Sequence, residues 1–342
     1  MIRHFARWLV ALCLLIAGVS AYATTPDATT TVSVEAANAP TRDVELYRDI
    51  VSRMEQGESY YEAATKLHRA RDYPLRPFFT VRSPALAWLT WALGRPVLYT
   101  LLIVMATMSL LVWLWRDPTS PLYERLLVAA ILGVSGAAMI GPAQISMHET
   151  WCGILLTLAL GLHLRGHWWT ALAAASAALA FREFAILFLG LMGAIALWER
   201  EWRRAAACVG VAVLFAIFMS LHAQAVMTLV EPGDLSSLGW QAARGPAGFL
   251  DDLRQLSFLQ YVPNWLGAGL AIGAFAGWAV IAKASWTNAF AIIWFAGFAL
   301  FISLFARANN FYWVEVILPI FLVGLAFLPK AATDWRKRHT SS

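Results

Sequence analysis

The chain is expected to fold as an all-α protein, a polytopic transmembrane helical bundle, and three observations point there. Of its 342 residues 60% are hydrophobic and only 14% carry charge, a balance outside that of soluble domains. Apolar runs recur from one end of the chain to the other. Lysine and arginine gather between alternate runs, the asymmetry that orients membrane helices. The net charge of +5 therefore reads as positive-inside bias. No basic and aromatic interleaving of the kind nucleic acid requires is present, so no nucleic-acid partner is expected.

The runs cover 8–23, 97–115, 126–140, 151–164, 168–181, 184–198, 205–230, 265–282, 290–306 and 311–328. A helix needs ~20 apolar residues to cross a bilayer, so the shorter runs must draw turns from their flanks. About ten spans result. Arg3 and Arg7, Arg116 and Arg125, Arg165 with His167, Arg200, Arg203 and Arg204, Lys283, and the closing Lys330, Arg336, Lys337 and Arg338 all fall between or beside them. Placing these groups in the cytoplasm puts both termini inside. The loop 24–96, the turns at His148, Arg182 and Arg307, and the loop 231–264 then lie on the exported face.

Four parts follow: a first span (1–23), an exported loop (24–96), the helical bundle (97–330) and a basic cytoplasmic tail (331–342). The first part, with Arg3, Arg7 and Ala21-Tyr22-Ala23, also fits a cleavable signal peptide; a retained span is the reading favoured. Cys13, Cys152 and Cys208 sit within apolar runs and read as small buried hydrophobes, with neither disulfide nor zinc spacing.

The exported loop has internal order. Residues 24–39 are rich in Thr and Ala without periodicity and read as a tether. From Arg42 the pattern turns helical, with Val44, Tyr47, Val51 and Met54 on one face. Asp43 falls in the first turn, where the helix dipole favours a carboxylate. Gly57 ends that helix; Tyr60-Tyr61-Glu62 begins a second, which Asp72-Tyr73-Pro74 terminates. Ser83-Pro84 opens a third, 85–93, stopped by Gly94-Arg95-Pro96. It is too short to span, and Trp88 and Trp91 suit it to the membrane interface.

Ionisable residues at membrane depth are costly and mark function. Three such places stand out: His148-Glu149 at the start of a run, Arg182-Glu183 between two runs, and Arg307 near Tyr312 and Trp313. All three fall on the same face as Asp43.

Together these features resemble the GT-C class of membrane glycosyltransferases that use polyprenyl-phosphate sugars, nearest to the lipid A aminoarabinose transferase and the protein O-mannosyltransferases. Asp43-Val44-Glu45-Leu46-Tyr47 is similar to that family's Asp-Glu-x-x-Tyr element, with the second acid moved by one place. Arg82-Ser83-Pro84-Ala85-Leu86-Ala87-Trp88 up to Gly94 looks like its Lys-Pro-Pro-Leu and aromatic helix. Glu149, after Ala143 to His148, stands where the family opens a span with an Asp; Arg182 matches a membrane-level Lys, and Arg307 to Tyr312 with Pro319 a late Lys-x-x-x-Tyr and Pro. Glu for Asp, Arg for Lys, and the lack of a large exported C-terminal domain are departures from the pattern.

The resemblance implies an inverting transferase that moves a sugar from a polyprenyl phosphate to an acceptor hydroxyl on a glycan, lipid or protein. It would work at the periplasmic face of a bacterial inner membrane. Asp43 would be the general base, with Glu149 as a second acid that orients the acceptor or holds Arg182. Arg182, Arg307 and Arg82 suit the donor phosphate, because guanidinium offers paired, permanent positive donors. Tyr47, Tyr61, Tyr312 and His148 complete the substrate-binding set. No nucleotide-binding glycine loop is present, and no cofactor or metal ligand set is expected. Plainer roles compete: a helix cap for Asp43, an ion pair with Glu183 for Arg182, an interfacial anchor for Arg307. A transporter or flippase, or a non-catalytic envelope-assembly protein, is the alternative reading of the whole.

Overall fold

The computed structural model describes residues 39–115, 117, 119–240, 242–282 and 286–329. The expected first span, almost all of the tether, the basic tail and the single positions Arg116 and Lys283 lie outside them. The described chain is all-helical, and its one β contact is an isolated bridge between Arg76 and Ser236.

Two short helices open it. Helix α1 (Ala39–Glu55) buries Val44, Leu46, Ile50, Val51 and Met54 along one side, the 3.6-residue stripe its sequence shows. Gly57, at φ +97°, ends it in the left-handed region that glycine enters freely. Helix α2 (Tyr60–Ala70) starts on a reciprocal cap: Ser59 Oγ accepts from the Glu62 N–H while Glu62 reaches back to the Ser59 N–H. The two pack together on a small core of Leu46, Ile50, Tyr60, Leu67, Leu75 and Val81, closed from below by Val226.

Helix α3 (Ala85–Leu93) follows, with Trp88 and Trp91 exposed. Gly94 at φ +78° turns the chain directly into α4 (Arg95–Leu114). The remaining helices are α5 (Leu122–Ala137), α6 (His148–Leu164), α7 (Trp168–Phe181), α8 (Ala185–Trp198), α9 (Trp202–Met227), α10 (Gly245–Gln255), α11 (Asn264–Ala282) and α12 (Trp286–Phe305). A broken segment closes the described chain: 3-10 turns over Ala308–Val316, a single α turn α13 (Leu318–Phe321), and 3-10 turns over Leu322–Phe327.

Helix α6 is the axis of the bundle. Nearly every residue of it is buried, and it packs against α4, α7 and the segment Ala308–Val316. Close approach is made at glycines: a Cβ on Gly153 would stand 2.2 Å from the Glu315 carbonyl oxygen, and one on Gly161 would meet Trp113. Trp113 Nε1 also donates to the Thr157 carbonyl at 3.0 Å, so the large side chain is packed and satisfied at once.

Three helices, α4, α9 and α11, are long and apolar enough to cross a membrane; the broken segment makes a fourth if its two limbs, bent by 61°, are counted as one. Helices α7, α8 and the stretch Ala289–Phe305 are apolar but shorter. At 1.5 Å per residue the fourteen residues of α7 cover ~21 Å, less than a ~30 Å hydrocarbon core. The continuous run expected at 311–328 is not a straight helix. Pro319 removes a backbone donor there, and Gly324 presses its backbone against the Ala274 carbonyl, which its Cβ would approach to 2.1 Å.

Candidate active site

Helix α1 places Asp43 and Tyr47 one turn apart, hence on one face. Asp43 is 7% exposed, and two phenols hold it. Tyr73, just past the end of α2, donates to Oδ1 at 2.7 Å, and Tyr312, in the broken segment, donates to Oδ2 at 2.8 Å. Burial pushes the Asp43 carboxyl above its ordinary range. The two phenol hydrogen bonds and the Arg82 charge pull the other way, while Glu149 adds to the rise.

A line of alternating charge runs inward from Tyr47. Arg82 Nε donates to the Tyr47 hydroxyl at 3.2 Å, and its Nη2 lies 3.7 Å from Glu149 Oε1. Arg82 is itself fixed by its own carbonyl, which accepts from the Tyr60 hydroxyl at 2.7 Å. The same Glu149 oxygen is 2.8 Å from Arg182 Nε, and Arg182 Nη1 donates to Glu183 at 2.5 Å. The Arg182–Glu149 approach misses the N–H direction, so it is an ion pair without a directed hydrogen bond. Arg182 is 1% exposed, and its guanidinium carbon sits 4.1 Å over the Phe184 ring, a cation–π contact that replaces some lost hydration.

Asp43, Tyr47, Arg82, Arg182 and Glu183 border a cavity of about 810 Å³. Its polar wall is Asp43, Tyr47, Arg82, Arg182, Glu183, Arg307 and Tyr312; its aromatic wall is Phe79, Trp240 and Trp313; the strand-like stretch 235–238 crosses it. That stretch is tied down where Leu75 N–H and Arg76 N–H donate to the Leu235 carbonyl, and where Arg69 grips Asp234 through two nitrogens. Four separate regions, 42–82, 182–183, 235–240 and 307–313, thus meet around one space. All four belong to the segments that the positive-inside pattern assigns to a single face.

Of the residues singled out in the sequence, Asp43, Tyr47, Arg82, Arg182, Arg307 and Tyr312 border this cavity. Glu149 does not: it is fully buried behind Arg182 and faces no open space. His148 opens instead on a smaller neighbouring cavity of about 250 Å³, in edge contact with Tyr47 at 4.8 Å. Tyr61 points away, its ring against His222. The ion pair Arg182–Glu183 is present, but Glu149 shares the same arginine.

Tyr73, Trp240 and Glu315 were not anticipated as parts of the site or its surroundings. Tyr73 sits between Asp72 and Pro74, where it reads as a helix stop. Trp240 lies in the loop 231–264 among the other aromatics Phe249, Phe258 and Tyr261, and nothing in the sequence singled it out. Glu315 is hidden inside an apolar run; its Oε2 accepts from Thr150 at 2.9 Å, one residue along from Glu149. Among the described residues no three of His, Cys, Asp and Glu converge as a metal ligand set.

Compared with known proteins, the chain matches no family model, no curated protein and no solved structure. Its chemistry has to be argued from the geometry of this cavity.

Proposed function

We propose that the protein is a membrane glycosyltransferase that moves a sugar from a polyprenyl-phosphate donor to an acceptor hydroxyl, with inversion, at the exported face of a bacterial inner membrane. In this reading the shorter helices complete their crossings with flanking residues, and the spans number about ten. Both chain ends are cytoplasmic. One observation carries the proposal: a buried carboxylate, oriented by two phenols, borders the same cavity as four arginines, Arg42, Arg82, Arg182 and Arg307.

The division of labour follows from charge. Arg82, Arg182 and Arg307 draw the donor phosphate into the cavity through charge-assisted hydrogen bonds. The acceptor oxygen attacks the anomeric carbon from the face opposite the phosphate. The bond from that carbon to the phosphate oxygen breaks, and the electron pair leaves with the polyprenyl phosphate. The arginines stabilise the charge that grows there. Asp43 takes the hydroxyl proton as the new bond forms. Its burial makes it a stronger base than a solvated aspartate, and the two phenols keep it ionised and aimed. The flat walls of Phe79, Trp240 and Trp313 suit the apolar faces of a sugar ring.

The test is transfer from a panel of defined polyprenyl-phosphate sugars by purified wild type and Asp43→Asn, with the anomeric configuration of the product determined. Turnover with inversion in the wild type and its loss in the variant are expected. Equal turnover in both would remove Asp43 as the base. A folded wild type that accepts no donor would favour transport or an assembly role.

A further inference from the structure

The smaller cavity shares Tyr47 with the larger one but has its own chemistry. Arg48 of α1 and Arg95, the first residue of α4, both reach into it, and both donate to the same Pro142 carbonyl, at 3.1 and 3.2 Å. Two guanidinium groups therefore crowd around one neutral oxygen. Among the described residues neither has a carboxylate within ion-pair distance, and the buried Arg48 Nε has no hydrogen-bond partner. Two acids also border the space. Asp49 is bound to Arg71, and Glu55 is exposed at the rim, so the pocket keeps net positive character. Its lining also includes the apolar Val51, Leu86 and Ala87.

Such a pair calls for an anion with several acceptor oxygens, and its position says which kind. Arg95 begins a helix long and apolar enough to cross a membrane. The face of that helix turned away from Arg95 is an exposed stripe, Val97, Leu101, Val104, Met108 and Leu111, at the alternating four- and three-residue spacing of one helix face. Trp88 and Trp91 stand exposed on the neighbouring α3, as side chains at a bilayer interface do. An anion seated between the two arginines sits at the N-terminal end of this apolar helix, beside the exposed tryptophans of α3.

We propose that Arg48 and Arg95 bind the phosphate of a membrane lipid. This site is separate from the donor phosphate site and does not depend on sugar transfer. The full-length protein in detergent, titrated by native mass spectrometry, tests it with two probes that differ only in phosphate: dioleoyl phosphatidic acid and dioleoylglycerol. Phosphatidic acid should bind about tenfold more tightly than dioleoylglycerol. Arg48→Gln with Arg95→Gln should abolish that preference and leave the weak binding of dioleoylglycerol unchanged. If the double variant does not fold, Arg95→Gln alone, a half-exposed residue with one carbonyl contact, should lower the preference several-fold. An excess of inorganic phosphate should fail to displace the lipid. Equal affinity for the two lipids, an unaltered preference in the variants, or displacement by inorganic phosphate would each overturn the proposal. Because no transfer is measured, Asp43→Asn should retain the lipid even if the donor reading is wrong.

Discussion

Asp43 and Arg182 border the same cavity, yet the two regions that supply them hold their charges in opposite ways. In the α1–α2 hairpin the acid is held by neutral partners: each carboxylate oxygen accepts one phenol hydrogen bond, at 2.7 and 2.8 Å. In the bundle beneath, Arg182 is held by charge, between Glu149 and Glu183, and its Nε and Nη2 have no directed hydrogen bond. Neutral partners fix the direction of a group and leave its charge available. Charged partners stabilise a buried ion but cost specificity of direction, and removing one strands the other. The hairpin aims a carboxylate; the bundle keeps a cation at depth.

That contrast breaks first at the acid. Asp43→Asn keeps the shape and loses the proton acceptor, so transfer should fall by about a hundredfold to ten-thousandfold while the thermal unfolding midpoint stays near wild type. A large fall in that midpoint would mean that Asp43 serves the fold. Arg182→Gln should do the reverse and strike stability itself. It leaves Glu149 buried with only the longer contact to Arg82, at 3.7 Å, at a cost of up to about 3–5 kcal/mol in chemical denaturation. Adding Glu149→Gln to it should recover a good part of that loss. If the double variant is no better than the single, Glu149 is not the charge that Arg182 neutralises.

Tyr312→Phe sharpens the comparison. The phenol hydrogen bond lowers the Asp43 pKa against the rise from burial, so its removal raises that pKa further. A base with a raised pKa loses its ionised form at higher pH, so the acid limb of the pH–rate profile should move to higher pH. A downward or absent shift would exclude Asp43 as the group seen in that limb. The smallest effect is expected at Ser59→Ala. Losing the α2 cap should cost about 1 kcal/mol in unfolding, with turnover nearly unchanged because the cap lies at the far end of α2 from Tyr73.

Which parts were legible from sequence follows the same division. Helix α3 was bounded to the residue because Ser83-Pro84 and Gly94-Arg95-Pro96 fix backbone angles whatever surrounds them. Helix α7 was equally clear between His167 and Arg182. Asp43, Tyr47, Arg82, Arg182, Arg307 and Tyr312 could be picked out because charge or hydroxyls at an apolar boundary need a reason. Glu149 was visible as an acid, but nothing local says that it faces Arg182 instead of open space. Helix α10 was not recognised within the polar loop 231–264, where Pro246 at its first turn was the one cue. The break between Val316 and Leu318 was not placed, although Pro319 inside the apolar run was its cue. The bend depends on what lies across from Gly324, and that partner is about fifty residues away in the sequence.

That partner sets a limit on movement. A Cβ on Gly277 of α11 would stand 1.7 Å from the Gly324 carbonyl oxygen, so the two backbones touch like a tooth seated in a notch. Ala274 and Ile281, which share that face of α11, carry side chains where Gly277 carries none, so a slide along the helix presses a side chain into the Gly324 backbone. The next glycine on α11 is Gly273, four residues away and about 6 Å along the axis. The segment that carries Arg307 and Tyr312 therefore has one permitted depth and no small adjustments around it. The height of the cavity's far wall is indexed in whole helical turns.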